Sequence, residues 1–367
     1  MSIYKVKIKC EVVTPLFLYG ADGKKSELRI SSIKGLLRFW WRAINHHLSI
    51  EELRKKEFLI FGGVSEDDKN KTVKSKVSIR MLDKHLTTLD FSKELNKNDY
   101  SGIYYLLYSV IDLNKKEAIN TGDCFEIEFK TTQKEFLEEY LKALLFLQFF
   151  GGLGTRNRRG AGSIRIIELK GYDEFNYIKY KGLFYTDSIN SKEELIKRFK
   201  ELSSLVNNKA KENSYSVVKG SKVIVFDSKK TWQEALNFIG EKFKKFRADI
   251  YKSNNKNKIY IAANFGFPII HKKKVKIIAG KINKKNELVK INRKSSSIIF
   301  KVIKIKSNEF YPVLIHLNGD LILKEYKFIT SNIKKQDFTN VPNVTNEVID
   351  NFIEEIKIGE NYVNLIM

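Results

Sequence analysis

Only two cysteines, Cys10 and Cys124, occur in the 367 residues. That excludes a disulfide framework, and neither has a second cysteine or a histidine at the spacing of a tetrahedral zinc site, so no metal or other cofactor is expected. Long apolar runs are missing too. Nothing approaches the roughly 18 consecutive apolar residues that cross a bilayer, and no isolated amphipathic anchor stands out, so no membrane partner is expected. Met1 to Lys9 alternate apolar and basic side chains where a signal peptide needs a continuous apolar core, which points to a strand and to a cytoplasmic location. Histidine is scarce: His46, His47, His85, His271 and His316 are the whole set. Acidic residues are outnumbered, with 43 Asp and Glu against 67 Lys and Arg, a formal net charge of +24. Such an excess repels itself in a compact fold, and it makes sense beside a polyanion, because each phosphate contact releases a condensed counterion.

What is present is enough apolar material, 43% of the chain, for two domains with their own cores. The first half reads strand (3–13), helix (32–47, a serine at its N-cap), short helix (50–61, ended by Gly62-Gly63), charged loop (65–76), strand (77–82), an apolar segment (104–111) that fits strand or helix, strand (125–130), helix (136–150) and strand (163–169). That order is the split βαβ of a ferredoxin-like domain. The second half is less regular, with helices over 192–206, 232–251 and 345–356 and strands over 222–226, 258–263, 275–278 and 297–306. The expected class is therefore α+β, with two ferredoxin-like (RRM-like) domains. The first spans 1–171; the second, degenerate and with helical insertions, spans 172–367, after a boundary between Gly171 and Gly182. The aromatic strand consensus of the common RNA-recognition motif is absent, so base stacking on the sheet face is not expected.

The loop from Gly151 to Ser163 holds five glycines and three arginines in thirteen residues. Glycine admits positive φ and lets backbone N–H groups approach a phosphate, while arginine forms bidentate phosphate hydrogen bonds and stacks on bases. No Gly-Lys-Ser/Thr tail opens a helix, so this is not a P-loop. The plain alternative is a helix C-cap with solvated arginines. The basic excess favours RNA contact by Arg156, Asn157, Arg158 and Arg159.

The first helix carries a second constellation. At 100° per residue, Ile33, Leu37, Trp40 and Ile44 face the core, while Lys34, Arg38, Arg42 and Asn45 lie on another face with Trp41 and Phe39 to either side. Charge for the backbone and a ring for a base suit a single strand. The helix start near Ser32 adds free N–H groups. Ser32, Lys34, Arg38, Trp41 and Arg42 are accordingly expected at the RNA. From His271 to Lys306 there are thirteen Lys or Arg and one acid, Glu287. Alternation there gives either a basic sheet face or an ordinary solvated one. Catalytic candidates are thin: His46 or His47 at the helix end, and Asp22 in the turn Gly20-Ala21-Asp22-Gly23, with capping and turn formation as the plainer roles.

Several runs together resemble a known family. Thr14-Pro15-Leu16-Phe17-Leu18-Tyr19-Gly20-Ala21-Asp22, the stretch Ser32-Ile33-Lys34-Gly35-Leu36-Leu37-Arg38-Phe39-Trp40-Trp41-Arg42-Ala43, then Phe61-Gly62-Gly63 and the glycine-arginine loop are similar to the RAMP superfamily. The closer likeness is to the first Cmr-type subunit family of type III-B CRISPR effector complexes. Farther on, Asn264-Phe265-Gly266-Phe267-Pro268 and Arg293-Lys294-Ser295-Ser296-Ser297 resemble later family runs, the last without its proline. This places Arg293 and Lys294 among the expected RNA contacts. The resemblance implies a non-catalytic subunit near the 3′ end of the guide, with guide RNA, target RNA and other Cmr-type RAMP subunits as partners. Target cleavage and cyclic oligoadenylate synthesis would belong to neighbouring subunits. Asp22 lies in the loop where RAMP backbone subunits carry their RNA-cleaving aspartate. A RAMP endoribonuclease processing the guide precursor and a purely protein-binding scaffold remain the alternatives.

Overall fold

The computed structural model describes residues 3–21, 23, 25–64, 72–171, 181–209, 215–253, 257–271, 275–323, 325–340 and 347–367. Asp22, most of the charged loop and nearly all of the expected boundary between 171 and 182 lie outside the described residues. The architecture is mixed α+β with several antiparallel sheets.

The alternation of β1 (Tyr4–Val12) buries Val6, Ile8 and Cys10 and turns the intervening lysines outward. After it come α1 (Ile30–Ile44), α2 (Ile50–Phe61), β2 (Ser78–His85), α3 (Ser101–Ile111), β3 (Cys124–Thr131), α4 (Lys134–Phe150) and β4 (Ile164–Lys170). The sheet order is β2-β3-β1-β4, antiparallel throughout. The ambiguous apolar segment is helical, as α3. The first helix begins at Ile30, with Arg29 at the N-cap position and no side-chain cap. The serine cap expected there is therefore absent, and Ser32 sits inside the first turn. By contrast, α2 opens on a full capping box between Ser49 and Glu52, which satisfies two otherwise orphaned N–H groups.

The second half repeats the pattern. It runs through α5 (Lys192–Ser204), β5 (Val217–Phe226), α6 (Trp232–Lys252), α7 (Lys258–Ala263), β6 (Ile269–His271), β7 (Val275–Ile282), β8 (Leu288–Ile291), β9 (Ile298–Lys304), β10 (Phe310–Asn318), β11 (Lys327–Thr330), α8 (Glu347–Lys357) and β12 (Tyr362–Ile366). Its main sheet is ordered β9-β10-β5-β12, again antiparallel. Beside the inserted helix α7, β6, β7, β8 and β11 form a small sheet that packs on it over Ala263, Phe267 and Phe328. The expected strand at 258–263 is this helix, because six residues are too few for a period of two to be told from one turn of 3.6.

The layers explain the composition of α1 and α4. Both pack on the first sheet. The second sheet then covers their other side with Val223, Val225, Ile299, Ile303, Val313 and Ile315. Alternate residues of those strands, Ile224, Phe300, Val302 and Leu314, face away toward α6 and α8. A helix covered on both sides is apolar all round, and α4 is buried continuously from Ala143 to Phe150. Each such Leu or Phe contributes about 1.5–3 kcal/mol. Trp40 and Trp41 are both buried for the same reason.

Candidate nucleic-acid interface

The glycine-arginine loop closes on itself before it reaches outward. Thr14 Oγ1 donates to the Gly160 carbonyl at 2.7 Å and accepts from Ser163 N–H at 2.8 Å. Thr155 N–H donates to the Phe17 carbonyl and Gly162 N–H to that of Pro15. At Gly162, φ is +66° and a Cβ would lie 2.0 Å from the Leu153 carbonyl oxygen, so only glycine fits. Arg156 also takes a left-handed φ of +64°. These constraints aim Arg158 and Arg159 at the second half of the chain and hold Arg156 against α3.

Each arginine meets neutral partners. Arg156 Nε donates to Ser109 Oγ at 2.7 Å. Arg158 donates to the Ser296 carbonyl and lies 5.0 Å from the Phe39 ring centre, while its own carbonyl accepts from Phe300 N–H at 3.2 Å. Arg159 donates to the Phe265 carbonyl at 2.9 Å and sits against Phe243 and Phe300, 4.9 and 5.5 Å from the ring centres. Burial pushes Arg158 down to about 10. Burial, then Arg247 and Arg156, pushes Arg159 down to about 9. Burial and Arg293 lower Arg156 as well. A guanidinium does not release its proton in practice, so these shifts measure how unfavourable the clustered charge is. Arg158 and Arg159 therefore hold the two halves together as much as they offer charge.

Three adjoining cavities run along the seam between the halves. The largest, about 660 Å³, is lined by the arginines of the loop, Arg247, the Phe265–Pro268 turn, Arg293 and Lys294. A second, about 470 Å³, has Phe39, Arg42, Arg54, Tyr215 and Lys294 in its wall. A third, about 200 Å³, touches Leu36, Trp40, Gly151, Gly152 and Asn157. Arg158 and Ser295 border all three. Asn157 is oriented by its Nδ2 donating to the Gly152 carbonyl at 3.1 Å. Lys294 donates to the Asp320 carbonyl at 3.2 Å, and burial lowers its pKa. Arg293 is exposed. The loop, α1 and the Arg293-Lys294 run, which lie far apart in sequence, thus share one basic cleft.

The structure alters the expectation for α1. Trp41 is 1% exposed and its Nε1 donates to Glu139 Oε2 at 2.6 Å, so its ring is closed to a base. Arg38 donates to the Phe61 and Gly62 carbonyls, capping the C-terminus of α2, where a cation is favoured. Arg42 pairs with Glu57 at 2.7 Å but still borders the second cavity. Ser32 and Lys34 line none of the three cavities; burial, then Arg38, lowers the Lys34 pKa. On the 297–306 strand, where a basic face and an ordinary solvated one were both open, two of the lysines turn inward. Lys301 is 1% exposed and donates to the Gly151 carbonyl at 2.6 Å, and Lys304 pairs with Glu11. Both side chains project toward the first half.

His46 is buried, with Nε2 3.0 Å from the Lys209 carbonyl, and burial together with cationic neighbours lowers the His47 pKa. Neither stands in the cleft. Among the described residues no group of three His, Cys, Asp or Glu has a metal-binding arrangement, and no helix is long and apolar enough to cross a membrane. The sequence reading missed Arg247, Tyr215 and Arg54. Arg247 lies mid-helix in α6 among lysines of similar pattern, with no local signal to separate it.

Comparison with known proteins fits this geometry. The sequence model of the RAMP superfamily matches residues 9–165. The CRISPR system Cmr subunit Cmr1-2 of Pyrococcus furiosus is 27% identical over 192 residues, 46% of this chain and 98% of that protein. Its Cmr1-1 is 26% identical over 231 residues, 58% of this chain and 63% of that protein. In fold, the chain resembles the apo crystal structure of Cmr1 from P. furiosus, with a TM-score of 0.59 and 20% identity over 93% of this chain and 98% of the other. It also resembles a chain of the cryo-EM structure of the type III-B Cmr-beta bound to cognate target RNA, with a TM-score of 0.57 and 15% identity over 97% and 99%.

Proposed function

With residues 9–165 matching the RAMP superfamily and 93% of the chain folding like Cmr1, we propose that this chain is a non-catalytic RNA-binding subunit of a type III-B CRISPR RNA-guided effector complex. It contacts the 3′ region of the guide and the target RNA in antiviral defence, with other Cmr-type RAMP subunits as neighbours in the cytoplasm. The observation that carries this reading is the basic cleft between the halves, where Arg156, Arg158, Arg293 and Lys294 converge. Phosphate contacts position an RNA without reading its sequence, which suits a subunit that must accept any guide.

Two ferredoxin-like domains are part of the proposal. The sheet orders β2-β3-β1-β4 and β9-β10-β5-β12 are the same order of second, third, first and fourth strands, and in each set a helix lies between the first and second strands and another between the third and fourth, as a split βαβ requires. We place the domains at 1–171 and 172–367. The burial of His46 speaks against its service as a general acid, which disfavours the guide-processing endoribonuclease.

The test is fluorescence anisotropy of the purified chain with guide RNA and with a guide–target duplex across a salt series. Replacing Arg156, Arg293 and Lys294 together with Ala should weaken binding and flatten its salt slope by about one per lost phosphate contact. Unchanged affinity and slope would instead support a scaffold that binds only protein.

A further inference from the structure

The arginines around the largest cavity lack the acidic partners that four other arginines of the protein have. Arg38 and Arg42 pair with Glu57, Arg165 with Glu11 and Asp187, and Arg198 with Glu201. Among the described residues, no carboxylate lies within ion-pair distance of Arg156, Arg158, Arg159 or Arg247, and none lines the cavity. Their hydrogen bonds go to Ser109 Oγ, Tyr251 Oη and the carbonyls of Ser296, Phe265 and Ala262. Arg247 is only 8% exposed. Arg159 Nη1 and Arg247 Nε are buried without an acceptor. Phenylalanine rings soften the charge, since Phe243 lies against both guanidinium groups, but a ring quadrupole does not neutralise it. Buried charges are otherwise paired, so the missing partner is an anion from outside the chain.

Shape and charge narrow the anion. Arg247, Phe265 and Phe267 are the cavity's buried lining, 8%, 2% and 3% exposed. Arg293 and Lys294 stand at the rim. A phosphodiester brings one negative charge, whereas a terminal phosphate monoester brings about 1.5–2 at pH 7 and three acceptor oxygens. We propose that this cavity binds the terminal phosphate of an RNA strand whose preceding nucleotides lie along the cleft. The assignment rests on the cleft being the RNA site.

The test uses the full chain and oligoribonucleotides of one sequence ending in a 3′-phosphate, a 5′-phosphate or hydroxyls only, with pyrophosphate as a probe free of RNA. One phosphorylated end should bind about tenfold tighter than the hydroxyl-ended strand. Pyrophosphate should raise Tm above chloride at matched ionic strength and compete with that end. Arg159→Met should abolish the preference; because it is half-buried and also structural, Arg156→Gln with Arg293→Gln at the rim is the second variant, expected to reduce it. Hydroxyl-ended RNA binding as tightly as both phosphorylated strands, with no effect of pyrophosphate, overturns the terminal-phosphate site and leaves the RNA cleft standing. Stabilisation by pyrophosphate without binding of any RNA supports the phosphate site and overturns the cleft as an RNA interface.

Discussion

Gly102 of α3 and Gly240 of α6 lie back to back: a Cβ on Gly102 would come within 2.5 Å of the Asn237 carbonyl oxygen, and one on Gly240 within 2.4 Å of the Gly102 carbonyl. Asn237 Oδ1 accepts from Gly102 N–H at 2.9 Å and Ile103 N–H at 3.3 Å, which satisfies the start of α3. The two helices belong to different halves of the chain, so this contact helps to set the width of the cleft.

Gly102→Leu should therefore destabilise the protein by about 1–3 kcal/mol, the usual range for overpacking a close contact, and weaken RNA binding through the altered seam. Thermal denaturation and anisotropy on the same sample check it. An unchanged Tm would show that the helices can separate freely.

Lys301 sets an expected pH dependence. Burial pushes its pKa from 10.5 to about 7. The unfolded state then binds the proton more tightly than the folded state between those values, so stability rises with pH from about 7 to 10.5. Below the folded value the penalty is fully present, on the order of 5 kcal/mol. Lys301→Met should remove this component, and urea melts of both proteins between pH 6 and 10 should diverge most at pH 6. Parallel pH profiles would place the lysine in solvent.

Glu11 joins three elements by pairing with Arg165 on β4 at 2.6 Å and Lys304 on β9 at 2.8 Å. All three side chains are largely buried. Glu11→Leu strands Lys304 and leaves Arg165 with Asp187 alone, and should cost about 3–5 kcal/mol. Glu11→Leu combined with Lys304→Met should recover part of that in denaturant melts, and no recovery would mean that the pair is not coupled.

Arg38 and Trp41 should separate from the cleft residues. Arg38→Ala removes the α2 cap and Trp41→Phe removes the donor to Glu139. Each is expected to lower stability by about 1–3 kcal/mol with RNA affinity unchanged, while Arg293→Ala does the reverse. Equal losses of affinity in all three would return α1 to the RNA surface.

Much was legible in the chain order. The four main strands of the first half and the helices at 30–44, 50–61 and 134–150 follow from periodicity and turn residues, and the glycine density of 151–163 marks a loop whose close approach at Gly162 only glycine permits. The basic and apolar alternation around Lys301 left its face open, and Lys301 is buried, because periodicity says which residues share a face, not what covers that face. The double tryptophan of α1 misled likewise: a helix with one covered side would leave Trp41 at an edge, and this helix is covered on both.

The sequence by itself determined the charge excess, the local elements and the rigid loop, because these depend on residue type and near neighbours. Tertiary structure alone decided which cations are available. Packing of α2 onto α1 gave Arg38 its internal partners, packing of the second sheet onto the first half gave Lys301 and Lys304 theirs, and the meeting of the halves brought Arg156, Arg158, Arg293 and Lys294 into one cleft with Arg247. Pairing and burial are long-range outcomes of how two halves meet, and no local pattern encodes them.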